Sequence, residues 1–307
     1  MFLKSKLYQA QQFAKYYRRA KTRYNIQTPF VFNFIENILE NDRNYYGFSI
    51  IEALRHSLLK ENKSIELIDF GAGSQTTKTK FRRINQIANS ALSSDFQCRW
   101  LFNVVNEYKP KHILELGTSL GISTLYLNAA SDNETKLFTL EGDPKIAHIA
   151  RMNWQNAHHL LMQYTLANYD GVTDDLEKHI ENDILKSAPE IRLIEGDFEK
   201  TLTTTLNLLK TVDLAFIDGN HRYDATMKYF HQILPYTKAH SILIFDDIYW
   251  SKDMTRAWNE IKNHASVTCS IDLFWCGIVF FNTDILKIQH VTLIRAKLKP
   301  FKFGWSF

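Results

Sequence analysis

The amino-acid sequence predicts an α/β fold, and three observations lead to that class. From about residue 96 onward, short apolar runs typical of buried parallel strands alternate with segments of helical periodicity. Five of these runs are followed directly by, or contain, an acidic residue at their carboxyl end. The last two runs lie too close together for a helical crossover, so they should form a hairpin.

The predicted strands alternate with helices along the second two-thirds of the chain. The strands should cover residues 113–116, 137–140, 191–194, 212–217 and 241–245, with the hairpin at 266–273 and 277–282. The helices should cover about residues 100–108, 144–161, 199–209, 223–234 and 252–263. An insertion at 165–188 should add a further helix, with Leu176, Ile180 and Ile184 on one face.

The first of these strands leads into the most informative stretch, residues 112–126. An apolar run from Ile113 to Leu116 is followed by Gly117, then by Gly121 and the start of a helical pattern. Glycine permits a sharp turn and a close approach of a ligand to the backbone, and free N–H groups at a helix start can face that ligand. Glu115 and Ser123 place a carboxylate and a hydroxyl beside the turn, which suits a ligand that carries an ammonium group.

The pattern Glu115-x-Gly117-x-x-x-Gly121-x-Ser123 resembles the first motif of class I S-adenosylmethionine (SAM)-dependent methyltransferases. It is most similar to the small-molecule O-methyltransferases of the catechol and caffeoyl-CoA type, and it differs from the dinucleotide fingerprint G-x-G-x-x-G. The resemblance covers about residues 96–283. It implies a Rossmann-like sheet of seven strands with a closing β-hairpin, SAM as cofactor and a small molecule as methyl acceptor.

The resemblance also implies roles for residues near the cofactor. Glu141, at the end of the second strand, should bind the ribose hydroxyls of SAM, and Asp197 should accept a hydrogen bond from the adenine amino group, with Phe198 near the ring. Ser123 matches the position that contacts the methionine carboxylate. Around the methionine end, the turn should be shaped by Glu115, Gly117 and Gly121.

A second group of polar residues follows the next two strands, at Asp218, His221, Asp246 and Asp247. In the catechol-type enzymes these positions supply two aspartates and an asparagine to a divalent metal, together with a lysine base. Here Asp247 replaces the asparagine and His221 the lysine. Two hypotheses follow: Asp218, Asp246 and Asp247 bind a cation such as Mg²⁺, or His221 takes the acceptor's proton with Asp218 beside it. Asp218 is also expected to contact SAM.

Residues 1–95 are predicted to form a helical extension, or lid, in front of the methyltransferase domain at residues 96–307. Residues 1–25 hold seven Lys and Arg and no acid. Such a segment fits an anionic partner, a membrane surface or a partner subunit such as that of a homodimer, but a solvated helix laid over the main domain is favoured. A second glycine turn, around Gly71 and Gly73, lacks the following strand and acid, so we interpret it as a structural turn or a lid element.

Composition excludes several classes of protein. The net charge of +4 is too small to indicate a nucleic-acid partner, and no apolar run approaches the roughly 18 residues of a membrane span. The three cysteines form no C-x-x-C pair and indicate free thiols in a reducing, cytoplasmic location. Two alternatives remain: an NAD(P)-dependent oxidoreductase, and a non-catalytic SAM-binding or scaffold protein.

Overall fold

The computed structural model describes residues 2–67, 81–167, 190–282 and 288–299. Backbone contacts divide the chain into two units. We call residues 43–211 the middle unit, and residues 1–42 together with 212–307 the terminal unit. The predicted domain boundary at residue 95 stays a prediction.

The helices and strands are numbered in chain order over the described residues. The helices are α1 (Phe2–Arg19), α2 (Pro29–Phe34), α3 (Tyr46–Lys60), α4 (Ile84–Ala91), α5 (Asp95–Tyr108), α6 (Ile122–Ala129), α7 (Pro144–Ala167), α8 (Phe198–Leu209), α9 (Tyr223–Ile233) and α10 (Lys252–Lys262). The strands are β1 (Ser64–Glu66), β2 (Phe81–Arg83), β3 (His112–Leu116), β4 (Lys136–Glu141), β5 (Ile191–Glu195), β6 (Val212–Ile217), β7 (Thr237–Asp246), β8 (Cys269–Asp272), β9 (Cys276–Phe280) and β10 (Gln289–Thr292).

The middle unit contains three parallel strands, with β4 between β3 and β5. Ile113 pairs with Leu137, which pairs in turn with Ile191. Ile113 and Leu137 are fully buried, which explains why these strands read as continuous apolar runs rather than alternating ones. The strands predicted at 113–116, 137–140 and 191–194 are therefore confirmed. The short antiparallel pair β1 and β2 was not predicted.

Helix α5 begins earlier than its apolar pattern indicated. Ser94 is its N-cap, with the Ser94 hydroxyl accepting a hydrogen bond from the Gln97 backbone N–H and the Gln97 side chain accepting one from the Ser94 backbone N–H. This capping box starts the helix at Asp95 rather than at Trp100, because the first turn is satisfied by polar side chains rather than by apolar ones.

The terminal unit contains five strands in the order β10-β8-β9-β7-β6. Strands β6 and β7 are parallel, β7 and β9 are antiparallel, and β8 and β9 form the closing hairpin. The predicted hairpin is confirmed, and so is the α/β fold class. The prediction of seven strands omitted β10, which pairs in parallel with β8.

Helix α1 belongs to the terminal unit and packs there through one face. Tyr16 and Ala20 are buried with Ile294, and the Tyr16 hydroxyl donates a 2.5 Å hydrogen bond to the carbonyl oxygen of Leu293. Just after the helix, the backbone of Lys21 bonds to Thr292 and Ile294. The basic N-terminal segment is therefore helical and anchored along one side.

Two predictions fall outside the residues that the structure describes. The turn around Gly71 and Gly73 lies in the undescribed range 68–80. The helix predicted within the insertion at 165–188 lies in the undescribed range 168–189, and residues 165–167 end helix α7 instead.

Candidate functional site

The turn between β3 and α6 depends on backbone conformations that favour glycine. Gly117 has φ +106° and Gly121 has φ +82°, and between them Ser119 has φ +48°, which is uncommon for a residue with a side chain. The backbone N–H groups of Gly117 and Thr118 donate to the carbonyl oxygen of Leu140 at 3.0 and 3.2 Å. These bonds tie the turn to the end of strand β4.

Gly121 is also constrained by packing against helix α7. A Cβ atom at Gly121 would lie 2.4 Å from Nε1 of Trp154. That indole N–H donates a 3.1 Å hydrogen bond to the carbonyl oxygen of Gly121. The second glycine therefore permits close helix-to-turn packing, a requirement that the sequence pattern did not distinguish from the close approach of a ligand.

Glu115 is fully buried and is hydrogen-bonded to residues at the start of helix α6, just after the turn. Its carboxylate accepts hydrogen bonds from the hydroxyls of Ser123, Thr124 and Thr139 at 2.7, 2.6 and 2.7 Å. Burial raises the pKa of Glu115, and the three hydroxyl hydrogen bonds oppose that shift. This geometry fits the expected role of Glu115 in shaping the turn. The Ser123 hydroxyl hydrogen points to Glu115. Toward a ligand, the Ser123 hydroxyl can therefore only accept a hydrogen bond, and the backbone N–H of Ser123 can donate one.

Glu141 ends strand β4 and reaches the same turn. One oxygen, Oε2, accepts a 2.9 Å hydrogen bond from the Ser119 backbone N–H, and Oε1 accepts a 3.0 Å bond from that of Asp143. A carboxylate offers about four acceptor positions, so each oxygen of Glu141 keeps capacity for a hydroxyl donor. Burial, the largest cause, raises the pKa of Glu141 to about 7.

Asp197 and Phe198 lie where strand β5 leads into helix α8. Asp197 is the N-cap, and its Oδ1 accepts a 3.0 Å bond from the Glu199 backbone N–H. Gly196, at φ +126°, donates its N–H to the carbonyl oxygen of Glu141 at 2.9 Å. The ends of β4 and β5 are thereby joined beside the turn, and the middle unit brings together the residues predicted to contact SAM, apart from Asp218.

The terminal unit brings together the second predicted group. Because β6 and β7 are parallel and Ile217 pairs with Phe245, Asp218 and Asp246 follow neighbouring positions of the two strands. Asp246 is buried, and Asp218 hydrogen-bonds to it. Burial first, and then the nearby charge of Asp247, raise the pKa of Asp246 to about 8. Both effects favour the protonated form of Asp246, which lessens the repulsion expected among three adjacent carboxylates.

His221 faces this group without a short hydrogen bond to either of its nearest carboxylates. Its Nε2 lies 3.7 Å from Oδ1 of Asp218 and 3.9 Å from Oδ2 of Asp247. Burial lowers the pKa of His221, while the charge of Asp247 acts in the opposite direction. The lowered pKa favours the neutral imidazole, which is able to accept a proton. The Trp250 ring stands beside it, with 6.4 Å between ring centroids.

Two residues of this group hold the left-handed backbone conformation despite carrying side chains, Asn220 at φ +53° and Asp247 at φ +52°. Such strain is concentrated at functional sites. Buried oxygens in the group also lack partners: Oδ1 of Asn220 and Oδ1 of Asp246 form no hydrogen bond within the described structure. A bound molecule with hydroxyl or N–H donors would satisfy them.

The predicted metal ligands fit a cation poorly. Within the described parts of the chain, no group of three or more His, Cys, Asp and Glu side chains has a geometry that could hold a metal ion. Asp218, Asp246 and Asp247 are neighbours, but they do not converge as a ligand set.

Sequence reasoning missed three residues of these groups. Trp154 lies in a predicted helix, but its contact with Gly121 joins positions 33 apart in the chain, and no local pattern indicates it. Ser119 supplies the N–H that holds Glu141, and its own hydroxyl is buried without a partner. Asn220 lies between Asp218 and His221, and its left-handed backbone conformation could not be predicted from the sequence.

Comparison with known proteins agrees with this arrangement. The family model for a methyltransferase domain matches residues 114–248, somewhat under half of the chain. Residues 114–248 are thus similar to a methyltransferase domain, which confirms the resemblance that the Gly117 turn indicated. No curated protein sequence matches the chain.

Several solved structures are similar to the chain at low identity. The SAH-bound methyltransferase PaMTH1 from Podospora anserina is 19% identical, with a TM-score of 0.47, over 79% of this chain and 99% of its own. An O-methyltransferase from Bacillus cereus in complex with SAH is 17% identical, with a TM-score of 0.48, over 82% and 97%. A putative caffeoyl-CoA O-methyltransferase from Staphylococcus aureus is 16% identical, with a TM-score of 0.47, over 64% and 88%.

Proposed function

We propose that the protein is a SAM-dependent methyltransferase that transfers a methyl group to the hydroxyl oxygen of a small molecule. The observation that carries this proposal is the link between Glu141 and the Gly117–Gly121 turn, made by the Ser119 N–H at 2.9 Å. It places a carboxylate with free acceptor positions next to a tight backbone turn, within residues that match a methyltransferase domain.

In this proposal the middle unit binds the methyl donor. Glu141 accepts hydrogen bonds from the two ribose hydroxyls, and Asp197 and Phe198 contact the adenine. Ser123 binds the methionine carboxylate through its backbone N–H, because its hydroxyl hydrogen is donated to Glu115, while Glu115, Gly117 and Gly121 keep the turn in shape. Each of these roles is supported by the position of the residue at a strand end or in the turn.

The terminal unit prepares the acceptor. SAM supplies an electrophilic methyl group on a positively charged sulfur. His221 takes the acceptor's hydroxyl proton on Nε2, the acceptor oxygen forms the new bond to the methyl carbon, and the electron pair of the broken carbon–sulfur bond remains on sulfur. Asp218 and Asp247, within 4 Å of His221 Nε2, stabilise the imidazolium that results.

The geometry of the site favours His221, rather than a divalent cation, as the group that activates the acceptor hydroxyl. The imidazole is free of short hydrogen bonds to the carboxylates beside it, whereas the three aspartates do not form a ligand set among the described residues. A further hydroxyl or N–H group on the acceptor, besides the hydroxyl that is methylated, would match the unpartnered oxygens of Asn220 and Asp246.

Binding of the cofactor distinguishes the proposal from its alternatives. Calorimetry with SAM, S-adenosylhomocysteine and NAD should show binding of the first two ligands and none of NAD. A screen of phenols and other small hydroxyl compounds, with and without Mg²⁺, then tests transfer. Binding of NAD alone would favour an oxidoreductase, and SAM binding without transfer to any acceptor would favour a non-catalytic protein.

Location and assembly remain part of the proposal. No helix in the described ranges is both long enough and apolar enough to cross a membrane. The three cysteines are buried as free thiols, which agrees with the reducing cytoplasm that we propose as the location. A homodimer is testable by light scattering.

A further inference from the structure

Helix α1 reaches the loop that follows strand β7, within the terminal unit. The Tyr8 hydroxyl donates a 2.8 Å hydrogen bond to Oγ1 of Thr255, and the Gln9 amide donates a 3.3 Å bond to the carbonyl oxygen of Trp250. We call residues 246–251 the acceptor loop, because they include Asp246, Asp247 and Trp250. Both bonds join the N-terminal helix to this loop or to the residue that supports it.

Thr255 passes the contact from α1 into the acceptor loop. Its hydroxyl accepts from Tyr8 and lies within hydrogen-bonding distance of two loop carbonyl oxygens, 3.2 Å from that of Ile248 and 3.0 Å from that of Ser251. A hydroxyl has one donor hydrogen, so the bond from Tyr8 orients the Thr255 hydrogen toward these carbonyls. Removing the Tyr8 hydroxyl would take away one of the hydrogen bonds that fix the orientation of the Thr255 hydroxyl.

Aromatic rings provide a second connection between α1 and the loop. The Phe274 ring contacts Phe13 and Tyr16 of α1, with centroid distances of 5.0 and 5.3 Å, and stacks on Tyr249 of the loop at 5.3 Å. The hydroxyl of Tyr249 donates a 2.6 Å hydrogen bond to Asp272. The loop is thus held on one side by polar bonds and on the other by stacked rings.

The helix is itself fixed at its carboxyl end. Lys299 donates hydrogen bonds to the carbonyl oxygens of Tyr17 and Ala20 at 2.6 and 2.8 Å, where the last turn of a helix has unpaired carbonyls. The buried Tyr16 hydroxyl bonds to Leu293 in addition. Because helix α1 is fixed at its carboxyl end, it can restrict the motion of the residues that it contacts.

We infer that α1 is a positioning element for the acceptor side of the site, and that Tyr8 is its positioning residue. Tyr8 holds Thr255, Thr255 holds the acceptor loop, and the loop places Asp247 and Trp250 beside His221. The kinetic part of this inference rests on the proposed function, whereas the structural part does not.

Hydrogen exchange of the intact protein tests the structural part. In the acceptor loop, the Asp247 N–H donates to the Trp275 carbonyl at 2.8 Å, and the Trp250 N–H to that of Asp247 at 2.9 Å. Tyr8→Phe should accelerate exchange of these two amides by about 3- to 10-fold, the effect of losing one hydrogen bond. Thr255→Val should do the same, and Thr255→Ser, which keeps the hydroxyl, should restore the rate of the unmodified protein.

Tyr17→Phe is the matched control. Tyr17 lies on the same helix and loses an equivalent hydroxyl, but its bond goes to the Leu298 carbonyl at 3.3 Å rather than to Thr255. This variant should leave exchange in the acceptor loop unchanged. Unchanged exchange in Tyr8→Phe, or an equal increase in Tyr8→Phe and Tyr17→Phe, would overturn the inference.

The kinetic arm uses the phenol that the unmodified protein methylates fastest, with catechol as the first probe. Tyr8→Phe should lower kcat/KM for the phenol by about 3- to 10-fold and leave the Kd of SAM within twofold. An equal loss of SAM affinity would contradict a role confined to the acceptor side. If the unmodified protein methylates no phenol, the proposed function loses its support, while the exchange experiment still decides the inference about α1.

Discussion

The indole nitrogen of Trp154 donates a 3.1 Å hydrogen bond to the carbonyl oxygen of Gly121, and the same nitrogen occupies the space that a side chain at Gly121 would need. The tryptophan thereby fixes the start of helix α6. The glycine of the motif serves the packing of the turn as well as any ligand bound there.

Gly121→Ala should therefore destabilise the protein. The added Cβ would clash with Trp154 and the residue would keep φ +82°, for a combined cost of about 2–4 kcal/mol in the free energy of unfolding. Urea unfolding measures this loss. Gly47→Ala is the control, because Gly47 lies in α3 with nothing within 4 Å of the added Cβ, and a gain of about 0.5–1 kcal/mol is expected. Equal stability of the two variants would contradict this account.

Glu141→Gln should weaken SAM binding. The substitution keeps the shape of the side chain but removes the charge that strengthens hydrogen bonds from the ribose, at a cost of about 1.5–3 kcal/mol. Calorimetry should show a Kd increased by about 10- to 150-fold. Glu195→Gln is a matched control, because Glu195 ends β5 and pairs with Glu141 in the sheet register. A similar loss in both variants would mean that Glu141 has no specific role.

The affinity for SAM should depend on pH through Glu141. Because burial raises the pKa of Glu141 to about 7, the carboxylate form that binds the ribose is lost as pH falls below 7. Affinity should rise between pH 6 and pH 8 and then level off, and Glu141→Gln should flatten this dependence. A pH-independent Kd in the unmodified protein would contradict the assignment.

The same raised pKa affects folding with the opposite trend. The folded protein holds the Glu141 proton more tightly than the unfolded chain does, because the pKa of this side chain in the unfolded chain is the ordinary 4.5. The contribution of Glu141 to stability is therefore complete below about pH 4.5 and is lost as pH rises to about 7. Chemical unfolding measures this contribution as the free energy of unfolding of the unmodified protein minus that of Glu141→Gln. This difference should become smaller, or change sign, as pH rises across this range.

Proton removal by His221 should be visible in the rate of methyl transfer. His221→Ala should slow transfer by roughly 10²–10⁴-fold, and EDTA should have little effect. The rate should rise with pH and flatten above a midpoint below 6.5, because burial lowers the pKa of His221 from that value. His56→Ala, at an exposed position on α3, is the control. Loss of activity in EDTA with full activity in His221→Ala would instead support a cation at Asp218, Asp246 and Asp247.

Local patterns in the sequence were enough to predict several parts of this molecule. The alternation of buried runs and helical segments predicted β3 to β9, because strands buried on both faces are continuously apolar. The spacing of Gly117 and Gly121 predicted a turn, because few residues other than glycine adopt positive φ angles easily. The acidic residues at the strand ends predicted that polar side chains would lie at the carboxyl ends of the parallel strands.

Other features depended on contacts between residues far apart in the chain. The strand β10, the bond between Trp154 and Gly121, and the contact of Tyr8 with Thr255 join segments whose own sequences carry no sign of the partner.

The order of the strands and helices, and the residue types at the strand ends, can be predicted from the sequence because they follow from short-range periodicity and backbone preference. Which of those polar groups are buried, and what they contact, depends on the folding of distant segments against one another. Burial raises the pKa of both Asp246 and Glu115, and three hydroxyl hydrogen bonds oppose that shift at Glu115, because the folded surroundings set the environment of each carboxyl group.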